Sequence, residues 1–344
     1  ASGKFLFTAF SRFGAEETVK FFNARGLATK EENDGRIFPV VDSALSVLDV
    51  LIEYMKKGGV KVQTKAVVEN ILLGADKKIS IYLQDKTKII AKSCVVATGG
   101  TSYPKTGSTG DGLKWLQKIG HTINNGSFAL VPIALKDGWV KKVSGITLKD
   151  VGLTVFLNEK KQANCSGELL FTHFGISGPM VLNISKDIGK LLTRGKVTIN
   201  LDLFPKLDHN ELAKKIQALL MGESNKKLKN TLSKLLPATL VAVLLELVGI
   251  NSETANHSFG REEKIKLVKF LKAIPLNVKS LLGADKAIAS SSGVAPEEVD
   301  FKTMQSRLAP NVYIIGDALD IDRQSGGYSL QLCWTTGFVA GDSC

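Results

Sequence analysis

The segment that most constrains the fold lies near the end of the chain, residues 311 to 341, NVYIIGDALDIDRQSGGYSLQLCWTTGFVAG. A β-type apolar run, Val312 to Ile315, ends in Gly316-Asp317; a polar loop reaches Gly326-Gly327, and a helical pattern runs on to Gly341. That order predicts strand, ligand loop and helix. Glycines where a helix begins leave backbone N–H groups unblocked, and the helix dipole favours an electron-rich group above them. Asp317, at the carboxyl end of a buried strand, has the acceptor geometry to hold a sugar or polyol hydroxyl. An ordinary strand-to-helix turn would show the same local pattern.

A second segment, CVVATGGTSYPKTGSTGDG from Cys94 to Gly112, repeats the design, with the β-branched run Val95-Val96 ending in Gly99-Gly100. Together, GRIFPV, ATGGTSYPKTGSTGDG, GELLFTHFGISGP, SSGVAPEEVDFKTM and GDALDIDRQSGGYSLQ, in this order and spacing, resemble the bacterial NAD(P)/FAD-dependent oxidoreductases of the BaiN type, which are two-dinucleotide-fold flavoproteins. The similarity covers nearly the whole chain. A lone GxGxxG would carry far less. The resemblance implies FAD as cofactor, contacted by Val68, Ala97, Thr98, Gly99, Gly100, Asp317, Asp322, Gly326, Gly327, Tyr328, Ser329 and Leu330. It places Val68 near the adenine and the Tyr103–Gly112 loop over the flavin region, and it implies NAD(P)H as a transient electron donor. The unit that opens such flavoproteins, a strand leading into GxGxxG with a downstream acidic residue, is not found before Gly35. The flavin-facing loops therefore carry over from the family, and the ADP-holding unit does not.

At 344 residues and 44% apolar content, the chain can bury a large core divided among two or three domains. The four cysteines, Cys94, Cys165, Cys333 and Cys344, form no CxxC pair and no His-interleaved ligand spacing, so reduced thiols in the cytoplasm are expected, without a metal. The longest apolar run, Leu235 to Ile250, contains Pro237 and Glu246 and reads as a buried helix, not a membrane span. Much of the +12 formal charge lies between Lys206 and Lys279. With no aromatic interleaving, that surplus reads as a solvated helical surface, and nucleic acid is not an expected partner.

In chain order, residues 1 to 31 read as an amphipathic helix with Phe10, Phe13, Val19, Phe21, Phe22 and Leu27 at helical spacing. GRIFPVVD is extended, a helix follows from about Ser43 to Lys57, and VKVQTKAVVENILL reads as paired strands. After His121 the pattern turns β-rich, through ALVPIAL, GITLKDVGLTVFL, GELLFTHFG and KVTINLDLF. Residues 206 to 280 then recur at i, i+3, i+4 as a helical lobe. The expected fold is α/β (α+β overall): a Rossmann-like FAD/NAD(P)-binding domain, incomplete at its N terminus, built from residues 1–131 and 297–344. A β-rich, barrel-like insertion at 132–205 carries the helical lobe, and the chain returns through the β-rich domain at 281–296. In that return, Ser292 stands where the resembled family commonly has glycine, which argues against a close backbone approach beside Gly293.

Three further residues are candidates near flavin or substrate: Arg36, for an anionic or carbonyl group, Tyr103 and Thr172. His173, before a glycine-bracketed turn, is the candidate proton donor; a hydrogen-bonded structural histidine is the alternative. The expected function is hydride transfer between flavin and a small organic substrate, conceivably an enone-type C=C bond. The competing expectation is a non-catalytic remnant of a flavin site that binds a partner through its basic lobe. Hydrolase chemistry lacks a GxSxG elbow or an HExxH helix.

Overall fold

The computed structural model describes residues 3–32, 35–74, 76–124, 128–283, 289–290 and 292–344. It divides into two compact units, Ala1–Phe128 with Ala289–Cys344, and Ala129–Ile288.

The first unit is organised by two parallel strands, Cys94–Val96 and Val312–Ile314, paired Cys94 to Val312 and Val96 to Ile314. Val312, Tyr313 and Ile314 are all buried, as expected of a parallel strand covered on both faces. Two short antiparallel strands, Gln305–Ser306 and Val299–Asp300, extend the sheet on the Val312–Ile314 side. A meander of Val68–Leu73, Ile79–Leu83 and Lys88–Ala91 supplies Ile71 and Ile79 to the same core. The helix Asp111–Ile119 adds Leu113, Trp115 and Leu116, and the closing helix Tyr328–Gly341 adds Leu332, Val339 and Ala340.

The opening segment differs from the single helix expected. It forms helices Phe7–Arg12 and Ala15–Asn23, then a strand Thr29–Glu31 paired with Ile37–Pro39. The break falls at Gly14, which is extended and whose N–H donates to Glu17 Oε2 at 2.9 Å, starting a second helix where one would have continued. Of the expected strand pair in 60–73, only Val68–Leu73 forms. Val60, Val62 and Val67 are exposed, and Lys65 adopts the left-handed conformation of a turn.

The second unit is a closed six-stranded barrel, in the order Thr147–Leu157, Lys160–Thr172, Gly175–Ser177, Ile133–Leu135, Ile274–Leu281, Val197–Asp202. Inward alternation of Val151, Leu153, Val155 and Leu157 fills the interior with Ile199, Leu201, Leu169 and Phe171. The helix Pro179–Leu192 packs on it. The helical part comprises His209–Gly222, Leu228–Leu232, Ala238–Val248 and Arg261–Lys272. A capping box opens the first of these: Asp208 accepts from the Asn210 and Glu211 N–H groups while Glu211 accepts from Asp208 N–H. Among the described residues no helix is long and apolar enough to cross a membrane.

Two boundaries move. The expected lobe, 206 to 280, ends too late: from Ile274 on it is the barrel strand Ile274–Leu281, because β-alternation of Ile274, Leu276 and Val278 buries them against Val197–Asp202. The return through 281–296 leaves the barrel early: Gly293–Val294 pairs with Ile123–Asn124 inside the first unit.

Candidate functional site

Because the two central strands are parallel and in register, the loops that follow them leave the same sheet edge side by side. Ligands in α/β sheets bind outside such carboxyl ends. On one side run Ala97, Thr98, Gly99 and Gly100. Gly99 has φ +71, and a Cβ there would lie 2.7 Å from Ser108 Oγ, so a side chain would block the fold of the loop onto itself. The loop is pinned to the helix Asp111–Ile119, where a Cβ on Gly112 would stand 2.0 Å from Thr98 Oγ1. Tyr103, half exposed, takes a left-handed conformation, and the buried Ser102 hydroxyl has no hydrogen-bond partner. Asp111 accepts from Thr109 Oγ1 at 2.6 Å and from Lys114 Nζ at 2.9 Å, bonds that hold its carboxyl below the usual range.

On the other side Gly316, with φ +59, turns the chain under Cys333, whose Sγ lies 3.0 Å from where a Cβ would sit; its N–H donates to Thr336 Oγ1 at 3.0 Å. Asp317 follows, and its carboxylate is already engaged. Arg323, 6% exposed in its side chain, forms an ion pair with it, while Arg323 Nε donates to Ser329 Oγ at 2.6 Å and Nη1 donates to the Ile321 carbonyl at 2.8 Å. The Cys333 thiol points at Asp317 Oδ1 from 3.9 Å and is pushed up to about 11, first by burial and then by the Asp317 charge. Gly326 and Gly327, with φ +114 and +95, then lead into the closing helix. A Cβ on Gly327 would meet nothing within 4 Å, and Tyr328 and Leu330 are exposed, so the first-turn N–H groups face open space.

The structure thus brings Ala97–Gly100 and Asp317 to one edge and supplies an open helix N terminus at Gly326–Tyr328. Asp322 is exposed and Ser329 is tied to Arg323. Val68 lies on the meander, paired with Leu83. Arg36 precedes the Ile37–Pro39 strand, its guanidinium 5.9 Å from the Phe38 ring and its Nε buried without a partner. Thr172 and His173 belong to the barrel unit. The Thr172 hydroxyl is buried and unpartnered, and His173 is exposed, edge-on to Phe174 with centroids 4.8 Å apart. Among the described residues no group hydrogen-bonds its imidazole.

Sequence reasoning missed a second cluster. His121, fully buried in its side chain, makes 2.8 Å contacts from Nδ1 to Glu298 Oε2 and from Nε2 to Ser306 Oγ. With Nδ1–H donating to the carboxylate, Nε2 accepts the Ser306 proton. The arrangement has the order of a nucleophilic triad, yet Ser306 Oγ also accepts from Leu308 N at 3.1 Å and Ala309 N at 2.8 Å. Both lone pairs are spent, so this serine is a structural clamp. Burial would raise the Glu298 carboxyl, but the hydrogen bonds from Thr122 and His121 outweigh it and hold it below its ordinary value of 4.5. A depressed folded value stabilises the protein above pH 4.5, and that stability is lost as acid carries the pH down through it. His121→Ala is expected to cost about 3 kcal/mol by leaving Glu298 without its partner, and Glu298→Gln to flatten the acid limb of a melting-temperature profile.

Two adjacent parallel strands with glycine loops at their carboxyl ends and a helix N terminus beside them define a Rossmann-type protein. The sequence matches the family described as the HI0933-like protein Rossmann domain over residues 1–343, and the chain belongs to that family. It is 31% identical over 339 residues to the 3-dehydro-bile acid delta(4,6)-reductase of Clostridium scindens, covering 98% of this chain and 82% of that protein. It is 27% identical to the ribosomal RNA dihydrouridine synthases of Haemophilus influenzae, over 97% of this chain and 81% of that one, and of Escherichia coli, over 97% and 80%.

Proposed function

We propose that the chain is a flavin-dependent oxidoreductase that saturates a carbonyl-conjugated C=C bond, with NAD(P)H as electron donor. Family membership and the reductase relative support the flavin-dependent oxidoreductase class. The names of both kinds of relative describe the saturation of ring double bonds, which supports the finer reading. The observation that carries the reading is the shared strand edge, where the Gly99-Gly100 loop and the Gly316-Asp317 turn lie next to each other.

The loops present fit the flavin end of such a cofactor. Gly327 offers a face that no Cβ obstructs, and Ser102 carries a buried hydroxyl without a partner. When bound, flavin supplies the two-electron chemistry that side chains lack. Gly326, Gly327 and Tyr328 would hold its ring, with the helix N terminus favouring negative charge there. Gly99 and Gly100 would admit it close to the backbone. Asp317 would accept from a ribityl hydroxyl while Arg323 neutralises it.

The test is a visible spectrum of the purified chain after soaking with FAD and removing unbound cofactor, followed by anaerobic NADPH and then a cyclic enone. Retained flavin, bleached by NADPH and recoloured by the enone, is expected. A chain that stays colourless after soaking would sink the flavin reading. Retained flavin that the enone leaves bleached would sink only the substrate class.

A further inference from the structure

Two anomalies sit side by side on the loop that leaves the carboxyl end of Cys94–Val96. The Ser102 hydroxyl is buried with no hydrogen-bond partner, and Tyr103 holds φ 51 and ψ 58, a left-handed conformation that a bulky side chain rarely adopts. Pro104 does not explain it, because a residue before proline is driven toward extended conformations. Such a conformation persists only where the surroundings over-determine it, and here they do. Thr106 N–H and Thr106 Oγ1 both donate to the Tyr103 carbonyl, at 2.9 and 2.8 Å, and Gly107 N–H donates to the Pro104 carbonyl at 3.1 Å. At the base of the loop Thr101 Oγ1 lies 3.2 Å from Ser292 Oγ, and a Cβ on Gly110 would stand 3.0 Å from Thr101 Cγ2.

Held in this way, Tyr103 is 44% exposed, and its phenol makes no hydrogen bond among the described residues. The acidic groups that follow the two parallel strands are engaged or poorly suited to give up a proton. Asp317 is ion-paired with Arg323, and Asp111 is held by Thr109 and Lys114 below the usual carboxylate range. The Cys333 thiol lies beneath Gly316 and is pushed up to about 11 by burial and the Asp317 charge. Tyr328 opens a regular helix, where nothing has to enforce its backbone. His173, the donor expected from the sequence, belongs to the barrel unit, and no described group fixes its ring.

We propose that Tyr103 is the proton donor to the substrate, a role that rests on the reductase reading above. Saturating a carbonyl-conjugated C=C bond adds a hydride at the β-carbon, which reduced flavin supplies, and a proton at the α-carbon. The π pair of the broken double bond forms the new α C–H bond with the phenolic proton. The O–H bond breaks, its electron pair stays on Oη, and water returns a proton to the phenolate. A phenol is an uncharged donor, so it can stand over an apolar ring without a counter-charge, as a lysine or a carboxylate cannot. The enforced backbone fixes its direction: Tyr103 cannot swing away without breaking both Thr106 bonds. Delivery of the proton to one face of the substrate needs that fixity.

The test has one readout without cofactor and two with it. In thermal melts of the chain without flavin, Tyr103→Gly is expected to raise the melting temperature by roughly 2 °C by releasing the left-handed strain, and Tyr103→Phe to leave it within about 1 °C. In the FAD-soaked chain, Tyr103→Phe is expected to slow recolouring by a cyclic enone on the order of a hundredfold more than it slows bleaching by NADPH. With an α-methyl cyclic enone the parent is expected to yield one enantiomer of the saturated ketone, and Tyr103→Phe, which must take the proton from water, a nearly racemic product. Recolouring of Tyr103→Phe at the parental rate, or an unchanged ratio of enantiomers, would overturn the proposal and leave the flavin reading intact. A melting temperature for Tyr103→Gly no higher than the parent's would remove the strain and overturn it as well. A parent chain that stays colourless after soaking would overturn the flavin reading and this proposal together.

Discussion

Gly293→Ala is expected to destabilise the first unit by about 4 kcal/mol and to lower its melting temperature by roughly 10 °C, with loss of flavin retention. The added Cβ would lie 2.4 Å from the Leu319 carbonyl carbon, 2.5 Å from Asp320 N and 2.8 Å from Leu319 O. All three are backbone atoms and cannot rotate away. Gly293–Val294 is threaded between Ile123–Asn124 and the segment 319–320: Asp320 N donates to Val294 O at 3.0 Å, and Asn124 Nδ2 donates to Asp320 Oδ2 at 2.8 Å. Pushing that segment displaces the loop between Asp317 and Arg323. Ser292→Gly is the contrast, expected to cost about 1 kcal/mol for the lost 3.2 Å contact between Ser292 Oγ and Thr101 Oγ1. Thermal melts of the three proteins check both values. A glycine at 292 is therefore not what permits the close approach; the one at 293 is.

Arg323→Met is expected to cost about 4 kcal/mol, because it strands a mostly buried Asp317 carboxylate beneath the Cys333 thiol. Asp317→Asn alone is expected to cost about 3 kcal/mol by leaving the guanidinium unpaired. The double variant should be less destabilised than the sum of the singles by about 2 kcal/mol, since neither charge is then left alone. Denaturant titrations of the four proteins close this cycle. Flavin retention should not follow stability: the double variant recovers the fold but lacks the acceptor for a ribityl hydroxyl, and its FAD should wash out. A double variant that holds FAD as firmly as the parent would remove Asp317 from the binding role.

What was legible in the sequence was local. Runs such as VYIIGD and CVVATGG announce strands and the turns that end them, because β-branching and glycine act within a few residues. The alternation of Val151, Leu153 and Val155 likewise announces β-structure around a filled interior. The partners of charged residues were not legible. Asp317 reads as an isolated carboxylate in GDALD, whereas Arg323, six residues on, pairs with its Oδ1. His121 stands alone in the sequence because its partners Glu298 and Ser306 come back from the far end of the chain. The ion pairs of the basic lobe were hidden for the same reason: Glu223 and Glu253 reach Lys234 and Lys227 only after the helices have formed.

The parallel pairing of residue 94 with residue 312 sets an order of events during folding. That ladder closes over the whole barrel unit, and a disordered loop of such length would make its closure slow. The barrel is contiguous in the chain, and its first strand, Ile133–Leu135, pairs with its last, Ile274–Leu281. Once folded, it holds its own two ends side by side and turns a very long loop into a short one. During synthesis the barrel can therefore fold as soon as it emerges, whereas the edge carrying Gly99 and Asp317 must wait for the strand Val312–Ile314. The glycine loops are thus expected to assemble after the barrel.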